Sequence, residues 1–146
     1  MPASMTYQSL TNDIQVYCER SDSPFVDQIP RFIMLAENRI AQEVRGLGSM
    51  AFVQSTLITG NPILAKPNRW RETVNFTITL ADGTKKALMP REFQYLRAFW
   101  PDQSATDEPR YYSDYDYEHF YLAATPGDDY AFELAYYERP EPLSDD

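Results

Sequence analysis

Apolar side chains near the N-terminus recur with the spacing of an α-helix. They are three or four residues apart, so a helix over residues 6–20 places them on one face. Thr6 is suited to cap this helix, because its hydroxyl can accept a backbone N–H bond from the first turn. The run Ser21-Asp22-Ser23-Pro24 predicts the break that follows. The apolar face consists of Tyr7, Leu10, Ile14 and Tyr17.

A second helical pattern starts near Pro30. The residue before a proline favours extended backbone, so Ile29 is predicted to lie outside the helix. Gly46 and Gly48 predict its C-terminal end. Two amphipathic helices joined by a short turn favour an antiparallel hairpin over residues 1–48. The apolar stripe of the second helix contains Ile33, Ala36, Ile40, Val44 and Leu47.

After Gly48 the hydrophobic period changes from about 3.6 residues to 2. Residues 74–80 alternate apolar and polar side chains and predict a half-buried strand. Asp82-Gly83 predicts a two-residue hairpin turn, with a returning strand over residues 85–89. An earlier strand is predicted over residues 52–59, ended by Gly60-Asn61-Pro62.

The last third of the chain combines one short helix with two aromatic strands. Residues 91–100 return to helical spacing, with Phe93, Leu96 and Trp100 on one face, and Pro101 ends the element. The strands are predicted over residues 111–123 and 130–138, separated by a turn at residues 125–129. The tail at residues 139–146 contains too much proline and acid to be expected to pack.

These elements predict an α+β fold. The N-terminal two-helix hairpin is followed by a mostly antiparallel β-sandwich or partly open barrel with one short inserted helix. The predicted segments are a helical hairpin over residues 1–48, a β-region over 49–138 and an acidic proline-containing tail over 139–146, forming one compact unit overall.

Composition favours a protein that contacts other proteins. Aromatic residues make up 14% of the 146 residues and include 11 tyrosines, which combine an apolar ring with a hydrogen-bonding hydroxyl. The formal net charge of −9 disfavours sequence-specific nucleic-acid binding, because phosphate backbones repel an acidic surface. With one cysteine and no visible signal or membrane-spanning segment, we expect a soluble protein from a reducing compartment.

The candidate chemical groups do not form a catalytic or metal-binding set. Asp114, Asp116 and Glu118 would share one face of a strand, but a calcium loop needs a tight glycine-containing turn, so a solvated face is favoured. His119 has no convergent partner in the sequence, and Cys18 neighbours an apolar stripe. We therefore predict no catalytic residues, no metal and no cofactor.

Two aromatic features have both a binding interpretation and a structural one. Arg69-Trp70-Arg71 could clamp a phosphate or sugar, but an arginine–carboxylate pairing beside an aromatic anchor is more common. The tyrosines between Tyr111 and Tyr137 could form a carbohydrate platform. Alternation assigns half of them to the core and favours an intersubunit surface for the rest.

Five sequence blocks, in order, resemble head-to-tail adaptor (connector) proteins of short-tailed bacteriophages. Together they cover nearly the whole chain. The blocks are IPRFIMLAENRI (residues 29–40), KPNRWRETVNF (66–76), EFQYLRAFWPD (92–102), PRYY with ATP (109–112 and 124–126), and ELAYYERPEPL (133–143).

The resemblance implies a structural virion protein in the phage neck, made in the bacterial host cytoplasm. It implies a cyclic ring of about a dozen copies that binds the portal protein and a tail or nozzle protein. Genomic DNA would pass through the lumen without sequence-specific binding, and an acidic lumen would let it slide. The candidate residues of the partner or oligomer interface are Arg39, Glu43, Arg45, Trp70, Tyr112 and Tyr137.

Such adaptors usually carry further helices after the proline-containing segment, whereas this sequence stops at Asp146. We therefore expect the stripe of Ile33, Ile40 and Val44 to be only partly covered within one chain. The alternative function is a carbohydrate-binding module of a phage tail or baseplate. An enzyme would need a pocket with paired polar groups and is the least favoured class.

Overall fold

A computed structural model describes residues 4–144, apart from the side chain of Leu47. The helices are α1 (Tyr7–Cys18), α2 (Ser23–Val26), α3 (Ile29–Glu43) and α4 (Phe93–Phe99), with a 3-10 turn at Leu47–Ser49. The strands are β1 (Met50–Thr56), β2 (Ile63–Ala65), β3 (Trp70–Thr79), β4 (Lys85–Ala87), β5 (Met89–Pro90), β6 (Tyr111–Asp114), β7 (His119–Ala123) and β8 (Ala131–Glu138). The fold is α+β, as predicted.

The chain divides into two compact units. The helical unit comprises Met1–Gly46 with Pro140–Asp146, and the β unit comprises Leu47–Arg139. No helix within residues 4–144 is long and apolar enough to cross a membrane.

The predicted N-cap of α1 is confirmed. The Ser9 N–H donates to the Thr6 hydroxyl at 3.1 Å, and the Thr6 N–H donates to the Ser9 hydroxyl at 2.9 Å. This reciprocal pair satisfies two N–H groups that have no partner inside the helix. At the other end, Glu19 adopts left-handed backbone with φ 52° and closes the helix.

Both predicted ends of the second helix are wrong. Ile29 is the first residue of α3, although it precedes a proline, and its side chain is fully buried, which outweighs the weak backbone bias. The helix ends at Glu43 because Val44 is extended, while neither Gly46 nor Gly48 has the positive φ of a glycine cap. Between the two helices lies α2, so antiparallel packing of α1 on α3 stays a prediction.

The proline-containing tail is exposed over its described residues, and Leu143 is 54% exposed. One hydrogen bond connects it to the helical unit, since the Leu143 N–H donates to a carboxylate oxygen of Glu37 at 2.9 Å. No side chain of residues 139–144 is buried, so the expectation that this segment does not pack stays a prediction.

The β unit consists of two four-stranded sheets with strand orders β1-β8-β3-β4 and β2-β7-β6-β5. The named strand pairs are antiparallel except β5 with β6. Buried side chains from both sheets form one core, as in a sandwich, and the sheets do not close into a barrel. This core includes Phe76, Ile78, Tyr112, Phe120, Leu122, Phe132, Leu134 and Tyr136.

The hairpin predicted around Asp82-Gly83 is confirmed, with one correction. The Leu80 N–H donates to the Thr84 carbonyl at 2.8 Å, so three residues form the loop instead of two. The Gly83 N–H donates back to Leu80 at 2.9 Å, and Gly83 has φ 84°, which only glycine adopts without strain.

The strand returning from this hairpin changes sheet. β4 pairs with β3, the Leu88 N–H still donates to Phe76, and the Met89 N–H then donates to Arg110 in the second sheet. The prediction of one strand over residues 85–89 is therefore wrong. The hydrophobic pattern also did not predict β2 or β5 as separate strands. Leu88 is buried at the crossing point, and burial of this side chain favours the crossover.

The predicted single strand over residues 111–123 is wrong as well. It is a hairpin, β6 to β7, because Asp116 builds a turn. The Glu118 N–H donates to the Asp116 carboxylate at 2.7 Å, and the Tyr115 N–H donates to the His119 carbonyl at 3.0 Å. The strands β1, β3 and β8 and the helix α4 lie where the patterns predicted, within a few residues.

Candidate functional site

The predicted polar face of α3 carries an exposed ion pair. The Arg39 guanidinium lies 2.9 Å from the Glu43 carboxylate, one helical turn away. Arg45 lies beyond the helix end and is exposed. Because an exposed pair of this type contributes little stability, these side chains can exchange partners at low cost.

The apolar stripe of α3 is only partly covered, and Ile33 is its one buried member among the side chains that the structure describes. Ile33 is 6% exposed, whereas Ile40 is 57% and Val44 is 55% exposed. The expectation that the stripe is only partly covered within one chain is confirmed. Further exposed apolar side chains on α3 are Phe32, Met34 and Leu35.

Two of the predicted interface tyrosines are not simple surface groups. Tyr112 is 8% exposed and belongs to the sandwich core, so it is not available to a partner. Burial raises the pKa of its phenol, although a hydrogen bond with Thr73 opposes the shift. Tyr137 is half-buried on the central strand β8, directly opposite Glu72 on β3.

Trp70 is an anchor of the β unit and confirms the structural interpretation of the Arg69-Trp70-Arg71 group. Its ring meets Phe120 edge-to-face with centroids 5.5 Å apart, and its N–H donates to the Thr73 hydroxyl at 3.1 Å. Arg69 lies 3.7 Å from the Glu138 carboxylate. The ammonium of Lys66 lies 3.9 Å from the centre of the Trp70 ring, so a sugar could not stack on that side.

Lys66 is a buried cation that sequence analysis did not single out. Its side chain is 4% exposed, and its ammonium lies 2.8 Å from the Asp114 carboxylate and donates to the Asp116 carbonyl at 3.0 Å. Such a group needs these partners, because an isolated buried charge is costly. In the sequence, the one feature that could have indicated this contact is the position of Lys66 four residues before Trp70, where a strand is predicted to start.

Lys66 and Trp70 form part of the wall of a pocket of about 520 Å³ within the β unit. We call this the basic pocket. Its charged lining consists of three cations and one carboxylate, whereas the whole chain has a net charge of −9. The charged residues are Lys66, Arg69, Arg139 and Glu118, with Asn68, Tyr117 and His119 beside them.

His119 is held by Asp116. Its Nδ1 lies 2.9 Å and 3.0 Å from the two carboxylate oxygens of Asp116. Burial opposes ionisation of Asp116, but hydrogen bonds from the Glu118 N–H and His119 outweigh it and lower the pKa of this carboxyl. Cys18 is exposed on α1.

The predicted acidic strand face does not exist. Asp114 ends β6, while Asp116 and Glu118 lie in the turn before β7. Among residues 4–144, no three or more acidic, histidine or cysteine side chains converge in a way that could hold a metal ion.

Comparison with known proteins shows the class. A family model described as SU10 adaptor protein matches residues 5–146. The chain belongs to this family of phage adaptors and is a structural protein of the bacteriophage virion. A protein of this class is part of the virion neck and contacts other virion proteins. No curated protein matches the chain.

Proposed function

We propose that this adaptor forms a cyclic ring between the portal and the tail, with DNA passing through its lumen. The observation that carries the proposal is the exposed part of the α3 stripe, Ile40 on the helix and Val44 directly after its last residue, in a member of an adaptor family. Large apolar side chains grouped on one face of a helix mark a surface that a partner covers.

Covering the exposed stripe favours assembly. Burying a fully exposed isoleucine or valine side chain contributes about 1.5–3 kcal/mol. Ile40 and Val44 are 57% and 55% exposed, so covering the rest of each side chain contributes roughly half of that range. In a ring each subunit offers two different patches, so this gain is repeated at every contact. Losses of rotational freedom and side-chain entropy reduce it, which makes a single contact weak.

A portal ring would therefore template the assembly. The first subunits bind a platform, and each later contact becomes effectively intramolecular. We expect a monomeric or weakly associating chain when free and a closed ring of about a dozen copies on the portal.

The acidic composition suits a channel for DNA. A lumen with the same sign of charge as the phosphate backbone repels it and offers no adhesive contacts. The net charge of −9 per chain supports this role and disfavours binding to base sequence.

Assembly is tested by mixing the purified chain with portal rings from the same phage and measuring particle mass. Ile40→Asp places a charge on the uncovered half of the stripe and should abolish ring formation, while the far-ultraviolet circular dichroism of the free chain stays unchanged. Ile58→Asp is the matched control, since Ile58 is 65% exposed but lies in the β unit. It should assemble like the parent chain.

Equal assembly by both variants would show that the α3 stripe is not part of the interface. If no portal-bound ring forms with the parent chain, the proposed adaptor ring is refuted. Tyr137, another candidate interface residue, is not suited to a charge substitution such as Tyr137→Asp. It would place two carboxylates directly opposite each other, at positions 137 and 72 of paired strands, and destabilise the sheet.

A further inference from the structure

Strand β1 is an edge strand whose outer side has no backbone partner among the residues that the structure describes. It is the terminal strand of its sheet and pairs on one side only, with β8. The Leu57 N–H donates to the Tyr130 carbonyl at 2.8 Å, which continues the β1–β8 register. Because the N–H and C=O groups of paired antiparallel strands alternate in direction, those of Phe52, Gln54 and Thr56 point away from β8. Each of these three residues therefore presents a backbone donor and a backbone acceptor to the outside of the sheet.

β1 lacks the features that protect a sheet edge from pairing. An open edge templates the addition of a further strand, so natural edge strands are usually short, charged, bulged or interrupted by proline. The seven residues Met50–Thr56 include no charged residue, proline or glycine, and their register with β8 runs without a bulge. Phe52 is 64% exposed, and Gln54, Ser55 and Thr56 are exposed as well. The edge is therefore both accessible and suited to pairing.

The other terminal strands of the two sheets are protected. β4 has three residues, of which Lys85 and Lys86 are charged, β2 has three residues, and β5 has two and ends at Pro90. In the proposed ring the contacts between copies join two different surfaces, so β1 would have to meet one of these strands. None of the three is long enough to pair along the seven residues of β1. The added strand is therefore expected from a different protein.

We propose that β1 binds an extended segment of another virion protein, which adds a fifth strand to this sheet. In this mode of recognition main-chain hydrogen bonds supply the affinity, and alternate side chains supply the specificity. The segment exchanges hydrogen bonds with Phe52, Gln54 and Thr56. An apolar side chain opposite Phe52 and a polar one opposite Gln54 match the face on which these two residues lie, where Gln54 already donates to Glu133 at 2.7 Å.

The proposal names a partner for the proposed adaptor and rests on that function for its setting in the virion. The edge itself is tested on the free full-length chain with a fluorescein-labelled peptide of the length of β1, Thr-Val-Thr-Val-Thr-Val-Thr. Binding is measured by fluorescence anisotropy, and hydrogen exchange shows which amides become protected. The same peptide with an N-methyl group on every residue is the control ligand, because its backbone cannot donate hydrogen bonds.

We expect saturable binding of the peptide and no binding of its methylated form. In the free chain the amides of Phe52, Gln54 and Thr56 should exchange rapidly, and those of Val53 and Ser55 slowly, because only the second set faces β8. With the peptide at about ten times its Kd, exchange of the first set should slow about tenfold, while the second set stays unchanged.

Gln54→Pro removes one outward N–H and leaves the hydrogen bonds to β8 in place, and proline is tolerated at such an edge position. Peptide affinity should fall about fivefold or more, the loss expected for one backbone hydrogen bond. Gln54→Ala is the matched control. It removes the same side chain but keeps the N–H, so it should retain the parent affinity.

Phe52→Lys is a second test that does not depend on the folding of a proline variant. A lysine on an edge strand opposes strand addition, so this variant should also bind the peptide more weakly. Asn75→Lys is its control, because positions 52 and 75 both pair with Ala135 and therefore share one face, but position 75 lies on the inner strand β3. It should bind like the parent chain.

The proposal is overturned if the peptide does not bind, if the methylated peptide binds equally well, or if Gln54→Pro and Gln54→Ala lose affinity equally. A dimeric free chain with the outward amides of β1 already protected would also overturn it, since a second copy would then occupy the edge. Ring assembly is scored separately with Ile40→Asp. A failed peptide titration with intact portal-bound rings would refute the edge site alone, and bound peptide without rings would refute the ring alone.

Discussion

The helical unit and the β unit use apolar residues in opposite ways. In the β unit, aromatic and aliphatic side chains from both sheets form a shared core in which Phe76 is 1% exposed. In the helical unit, α3 buries Ile29 and Ile33, while α1 buries none of its residues. Both units expose some apolar side chains, with Phe52 and Ile58 among those of the β unit, but the side chains that form the large shared core lie in the β unit.

This difference suggests that the β unit determines the stability of the chain and that the helical unit determines its assembly. Most of the free energy of folding comes from buried apolar surface, so the β unit should supply most of it. The helices are amphipathic but have little to pack against within one chain, and short helices are marginal without packing. We infer that substitutions in the β core unfold the chain, whereas substitutions on the exposed half of α3 act on assembly.

Phe76→Ala should give the largest effect. The Phe76 ring lies 5.3–6.0 Å from the rings of Tyr112, Phe120 and Phe132, and its removal leaves a cavity. We expect the free energy of unfolding to fall by about 3–5 kcal/mol, measured by urea denaturation of the free chain.

The matched control is Phe52→Ala, which removes the same side chain from a position that is 64% exposed. Its expected cost is below about 0.5 kcal/mol. Similar losses for both variants would show that the β unit has no dominant core and would remove the contrast between the units.

Ile33→Ala and Ile40→Ala sharpen the comparison within α3. The first side chain is buried and the second exposed, although both belong to one stripe. Ile33→Ala should destabilise the helical unit by about 2 kcal/mol or more, and Ile40→Ala by less than about 0.5 kcal/mol. Hydrogen exchange of the α3 amides in the free chain gives both values.

Equal protection of the α3 amides in these two variants would contradict half coverage of the stripe. On the portal the order should change, because only Ile40→Ala removes a side chain that the proposed interface covers. Its ring should dissociate at lower salt or temperature than the parent ring.

Alkaline unfolding should depend on the buried tyrosines of the β unit. Burial raises the pKa values of Tyr112, Tyr130 and Tyr136 above the ordinary value of 10.0. A raised folded-state pKa means that stability is fully present below pH 10.0 and is lost as pH rises through the folded-state value. The loss of folded protein is measured by circular dichroism between about pH 9 and 12.

Tyr112→Phe removes one ionisable group from the core and should make the pH dependence less steep above the ordinary tyrosine pKa. Tyr117→Phe is the control, because Tyr117 is exposed. The comparison uses slopes against pH, since Tyr112→Phe also loses a hydrogen bond to Thr73 at neutral pH. Identical slopes would place alkaline unfolding outside the core.

Thr6→Ala should give a small effect that is confined to α1. It removes the hydroxyl that accepts the Ser9 N–H, a cap worth about 1 kcal/mol to the helix. The loss should appear as faster hydrogen exchange of Ser9 and its α1 neighbours, with β-unit amides unchanged. Thr6→Ser keeps the hydroxyl and should restore protection; failure to do so would mean that the cap does not stabilise α1.

Several local elements of this protein can be predicted from its amino-acid sequence alone. The Thr6 cap and the alternation over residues 74–80 depend on neighbours a few residues away, and both predicted the observed local structure. Asp82-Gly83 predicted the hairpin, although its loop has three residues instead of two. The ordered resemblance of five blocks also identified the adaptor class that the family match shows.

Tertiary structure decided where these elements meet. The turn at Asp116 that separates β6 from β7 depends on a side-chain hydrogen bond. The crossover of the chain from one sheet to the other at Leu88 depends on burial between the sheets. Neither feature changes the hydrophobic period of the sequence. Alternation shows that neighbouring tyrosines lie on opposite faces of a strand but not which face is buried. The opposing sheet decides that, and it buries Tyr112, which the sequence had suggested as an interface residue. From the sequence, Lys66 would be expected on the surface. The fold buries it beside Asp114, Trp70 and Phe120, and its ion pair with Asp114, which is distant in sequence, makes this burial possible.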